Sequence, residues 1–156
     1  MRKKSKYKPK GVVLNTMAYV MESMTPVEKH GAFLIDLKIK NHAAMAALTQ
    51  GRAVREDLDT LITMVNFVEA LYRLGFGEDY KDVVNEGLEA IREVARRGAQ
   101  SGKFILKSGE MNAINTVMEL HDAQMDVITV KDMEKAFYIV DNEWRQKKMT
   151  PILERA

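Results

Sequence analysis

The stretch LDTLITMVNFVEALY, residues 58–72, decides the architecture. Its apolar side chains Leu58, Leu61, Ile62, Val65, Val68 and Tyr72 recur three or four positions apart. That is the period of one helix face and not the alternation of a strand. Glu56 and Asp57 stand where the helix dipole favours anions, and Arg73 precedes Gly75 as a stop, so the stretch predicts a helix over 55–74.

Upstream, Thr25-Pro26-Val27-Glu28 has the form of a helix start: a capping hydroxyl, a proline suited to the first helical position and a glutamate able to reach back. It predicts a helix over 26–50 with the stripe Val27, Leu34, Leu37, Met45 and Leu48, closed by Gly51. His30, Asn41 and Ala44 share that side, and His30 and Asn41 are either satisfied core polar groups or register-setting groups of a helix-helix dimer. Before it, Leu14, Met17, Ala18 and Met21 predict a short helix over 12–23.

Downstream, Val84, Leu88, Ile91, Ala95, Ala99 and Leu106 keep one phase across Gly98 and Gly102, which predicts a helix running over 79–107. Met111, Ile114, Met118 and Met125 predict a helix over 109–128. Thr129 with Asp132 forms a second capping box and opens a helix over 130–147, with Met133, Ala136, Phe137, Val140 and Trp144 as the buried face. No segment alternates like a strand between hairpin turns. The expected fold is all-α, a bundle of about six helices forming one domain over 11–156, preceded by a flexible basic arm over 1–10.

A chain of 156 residues with 46% hydrophobic content can build one core. Cysteine is absent, which removes disulfides, thiolate metal sites and cysteine nucleophiles. Lys, Asp, Glu or Asn interrupts each long apolar run well short of the ~20 residues of a membrane helix, so no membrane partner is expected. The mixed segment after the charged N-terminus lacks a secretory cleavage pattern, and the expected location is the cytoplasm.

Charge is unevenly placed. Arg2, Lys3, Lys4, Lys6, Lys8 and Lys10 lie within the first ten residues, and taking those six from the 24 Lys and Arg leaves 18 basic against 22 acidic side chains. An acidic body with a basic arm meets phosphate more readily than the net charge of +2 suggests. Arg92, Arg96, Lys103 and Lys107 extend that reading as a basic line on the predicted 79–107 helix, able to track a phosphate backbone, although Glu89 and Glu93 nearby suit a solvated face laced with ion pairs.

Asn112, Asn115, Glu119, Asp122 and Asp126 form a polar line on the 109–128 helix, either a solvated face or an acidic docking surface. A helix-turn-helix over 47–61 fits poorly, because Glu56 and Asp57 would open the recognition helix against a polyanion. His30 follows Glu28 and His121 follows Glu119 by two residues, which points the members of each pair to different sides of a helix, and His42 has no carboxylate on its face within four residues. No metal site, cofactor or catalytic residue is therefore assigned, although a site gathered from distant segments stays open.

Eleven methionines serve as adaptable core filler or as a plastic binding groove. The sequence is read as a non-enzymatic helical binding protein that self-associates through small-residue and methionine stripes and engages nucleic acid with its arm, Arg92, Arg96, Lys103 and Lys107. The alternative is an adaptor or inhibitor of a protein partner, docking Glu119, Asp122 and Asp126 on a basic surface.

Overall fold

The computed structural model describes residue 21 and residues 23–146; the basic arm, nearly all of the helix expected over 12–23 and the tail beyond 146 lie outside the described residues. Those residues form five helices: α1 (Gly31–Thr49), α2 (Arg55–Arg73), α3 (Lys81–Ser101), α4 (Ser108–Val127) and α5 (Val130–Arg145). Among the described residues there is no strand, only an isolated bridge between Pro26 and Thr129.

The bundle is organised around α2, which packs against each of the other four helices. Its expected stripe is buried at Leu58, Leu61, Val65 and Val68, but Met64, Phe67, Ala70 and Leu71 are buried as well. Met64 joins the same core as the stripe, whereas Phe67, Ala70 and Leu71 are buried because α2 serves a second core. The first is shared with α1, α3 and α4, and the second with α5, the end of α4 and the turn before α1. Burying each Leu, Val, Met or Phe side chain of these sets stabilises the fold by roughly 1.5–3 kcal/mol.

Two expected boundaries are corrected. Thr25 and Pro26 do not start the helix: Val27–Lys29 is a single 3-10 turn, His30 breaks the path at φ −94° and ψ 53°, and α1 begins at Gly31. The cause is tertiary. The Val27 amide donates to the Ile128 carbonyl at 3.0 Å, and the Val130 amide donates to the Thr25 carbonyl at 3.0 Å, so the segment is clamped to the α4–α5 junction with Val27 at 1% exposure. The Thr129 box does form as expected, with the Asp132 amide donating to Thr129 Oγ1 at 3.2 Å and the Thr129 amide donating to Asp132 Oδ2 at 2.9 Å.

The helix expected to reach Lys107 ends at Ser101, where Gly102 takes a left-handed φ of 73° and its amide donates to the Gly98 carbonyl at 2.8 Å. The chain then doubles back, and the Phe104 ring lies on Gly98 so closely that a Cβ there would overlap its Cδ1–Cε1 edge. Arg97 holds the return. Its guanidinium donates to the Ile105 carbonyl at 2.9 Å and makes a two-pronged contact with Glu110, whose carboxylate also accepts from the Lys107 amide at 3.0 Å. The stripe stays in phase because Leu106 is half-buried, but it reaches the core from a loop.

On α5, Met133 and Ala136 are buried and Val140 is half-buried, whereas Phe137 and Trp144 are more than half exposed. Among the helices its main partner is α2, with Val27, Met125 and Ile128 in the same cluster, so only a narrow ridge is covered. Phe137 still lies against Phe67, with ring centroids 4.8 Å apart and planes tilted by 47°.

Candidate interaction surfaces

α1 is apolar on two sides. Its inner side buries Leu34, Asn41, Ala44, Met45, Ala47 and Leu48 against α2 and α4. On the opposite side Ala32, Ile35, Ile39 and Ala43 face outward, with Ile35 59% and Ile39 61% exposed, and Ala46 continues the line half-buried. These five follow one another at three or four residues, the period of a helix face. A helix with two opposite apolar sides normally has both covered, yet among the described residues the outer side of α1 stays exposed at Ile35 and Ile39.

One flank of that outer stripe is closed by α4. The two helices run antiparallel, Lys38 lying 3.8 Å from Asp126 and His42 Nε2 lying 3.1 Å from Asp122 Oδ2. Two members of the acidic line expected to dock on a partner thus face α1, and Glu119 is exposed. Asp122 also has the buried His121 ring beside it, Nδ1 to Oδ1 being 3.7 Å. These contacts, with His121 first and His42 next, hold the Asp122 carboxyl below its ordinary value against the opposing effect of burial. This His42–Asp122–His121 group joins residues 80 positions apart and had no signal in local spacing.

The other flank is open. Asp36 and Lys40 stand one turn apart, both exposed, and neither forms an ion pair among the described residues.

The expected basic line is divided by the early end of α3. Arg92 and Arg96 are on the helix, each with a glutamate three residues earlier: Arg92 Nη1 donates to Glu89 at 2.8 Å, and Arg96 donates to Glu93. Lys103 lies in the returning loop and Lys107 at the entry to α4, both exposed. The six basic residues of the arm lie outside the described residues. A two-pronged cation contact that sequence spacing missed is Arg97 with Glu110, which raises the guanidinium and lowers the carboxyl from their ordinary values, chiefly through the hydrogen bonds between them.

The methionines expected on a self-association stripe are largely core side chains, with Met45, Met64, Met118, Met125 and Met133 buried. His30 is exposed and Asn41 is buried, with no hydrogen-bond partner for its Nδ2. A pocket of about 370 Å³ opens between the 3-10 turn, α1 and α5, lined by Val27, Phe33, Val130 and Met133, with His30 and Glu134 beside them. Among the described residues no group of three or more His, Asp or Glu is placed to hold a metal ion, and no helix is long and apolar enough to cross a membrane. Compared with known proteins, the chain matches no family model, no curated protein and no solved structure.

Proposed function

We propose that this protein is a non-enzymatic helical binding protein that associates with copies of itself and presents the basic arms of those copies to nucleic acid. The uncovered apolar side of α1 carries the first half of the reading: Ile35 and Ile39 stand in water at a spacing that a packed helix would satisfy. The second half is supported by charge placement, six cations in ten residues on a chain that is otherwise acidic.

Arg92 and Arg96 contribute less than the arm, because Glu89 and Glu93 already neutralise them locally. The alternative docking of an acidic face loses ground for a similar reason, since Asp122 and Asp126 are engaged by His42 and Lys38.

The test is the mass of the full chain in solution together with its affinity for single- and double-stranded oligonucleotides across a salt series. Six phosphate contacts per chain give a slope of log K against log salt of about −5 on duplex DNA, and changing Lys3, Lys4, Lys6 and Lys8 to Gln lowers its magnitude by about 3 to 4 per chain. A slope unchanged by those substitutions, or no binding at low salt, sinks the nucleic-acid part. A monomer at every concentration sinks the assembly part.

A further inference from the structure

The outer stripe of α1 also constrains what can cover it. Ala32, Ile35, Ile39, Ala43 and Ala46 form a narrow line with small residues at both ends, the form that admits a second helix at close range. A lipid surface fits less well, because the flanks mix acidic and basic groups instead of offering cations alone.

Charge then selects the partner. The flank bearing Lys38 and His42 is occupied by Asp126 and Asp122 of α4, while on the other flank Asp36 and Lys40 form no ion pair among the described residues. When two identical helices pair in parallel, opposite flanks meet, and the open flank would face one already satisfied. When they pair antiparallel about a two-fold axis, like flanks meet, and a negative and a positive residue one turn apart become self-complementary.

The midpoint of Ile35 and Ile39 falls at Leu37, and that of Asp36 and Lys40 at Lys38. The two centres therefore differ by one residue, which across an antiparallel pair is an axial offset of two residues, about 3 Å, a distance the long Lys40 side chain spans. We propose that the outer face of α1 is the seam of an antiparallel homodimer, in which Ile35 packs against Ile39 of the partner subunit and Asp36 pairs with Lys40 of the partner subunit. This seam rests on the self-association reading above and specifies its surface and direction.

The experiment uses the full chain and sedimentation equilibrium. Asp36→Lys and Lys40→Asp each place like charges together twice across the axis, and each weakens the dimer by about tenfold or more. The double variant D36K/K40D restores the dimer to near its original affinity. Both positions are exposed, so unchanged helical circular dichroism separates lost association from lost folding.

The chain has no cysteine, so introduced thiols report direction. A mixture of Ile35→Cys and Ile39→Cys chains cross-links between the two kinds, because their Cα atoms fall within the roughly 4.4–6.8 Å a disulfide spans, and neither variant cross-links efficiently alone. Efficient cross-linking of Ile39→Cys with itself overturns the antiparallel seam, as does a double charge variant that stays dissociated. A dimer indifferent to Asp36→Lys overturns the seam but leaves self-association through another face. A monomer throughout overturns both and assigns the stripe a different occupant.

Discussion

Replacing Gly98 by alanine distinguishes a helix that continues to Lys107 from a chain that turns back at Gly102. In a continuous helix the change removes an interior glycine and stabilises the protein by about 1 kcal/mol. In the structure the new Cβ would overlap the Cδ1–Cε1 edge of the Phe104 ring, and because Gly98 is helical the backbone accepts alanine, so the cost lies in the ring alone. Phe104 is half-buried, and moving it off α3 exposes about 100 Å² of apolar surface, worth about 2.5 kcal/mol at ~25 cal/mol/Å². Offset by the propensity gain, Gly98→Ala is expected to destabilise by about 1.5 kcal/mol. Urea unfolding of the wild type, Gly98→Ala, Phe104→Ala and the double variant measures the coupling. With the ring gone, Gly98→Ala should become stabilising, which gives a coupling of about 2.5 kcal/mol. Stabilisation of the wild-type background by Gly98→Ala would refute the packing of Phe104 on α3.

The Glu110 carboxyl is held below its ordinary value chiefly by the Arg97 hydrogen bond, so its stabilisation is complete at neutral pH and fades as pH falls from the ordinary carboxylate range through the lowered folded value. Glu110→Gln should lower stability at neutral pH and flatten the decline between about pH 6 and 3 in urea midpoints, and superimposable acid profiles would remove the pair from the account. Asn41 lies 3% exposed on the inner side of α1 with Nδ2 unpartnered among the described residues, so Asn41→Leu should raise the unfolding free energy by about 1 kcal/mol or more, read from urea unfolding. A loss of stability on that change would mean that the amide is satisfied in solution.

The helices of the bundle were legible where one chain segment decides its own fate. The 55–74 and 109–128 helices carry apolar stripes whose period survives any arrangement of neighbours, and Thr129 caps with its own Asp132. The misplaced ends are those decided by distant atoms. Thr25 and Pro26 have the composition of a helix start, but the Val130 amide donates to the Thr25 carbonyl and the Ile128 carbonyl accepts from the Val27 amide, which draws Pro26 into a bridge with Thr129. Leu106 keeps the helical phase because a returning loop can place a side chain over the same core that a further turn would have reached. Periodicity records which side chains are covered and is silent on the path that brings them there.

The same limit governs the candidate surfaces. On α1 the inner stripe, with Leu34, Met45 and Leu48, is the more apolar one and claims the core, which draws attention away from Ile35 and Ile39 on the opposite side. Only after α2 and α4 are set against the inner face does the outer one stand as surplus, and only after Lys38 and His42 are taken by α4 do Asp36 and Lys40 stand as the unmatched charges. Arg92 and Arg96 show the converse, since a basic line visible in sequence is balanced by neighbouring glutamates once the rotamers are placed. Surplus apolar area and surplus charge on one helix face are properties of the assembled fold. Their neighbouring centres at Leu37 and Lys38 let one antiparallel pairing serve both, which favours a second copy of α1 over an unrelated apolar partner with no reason to match both spacings at once.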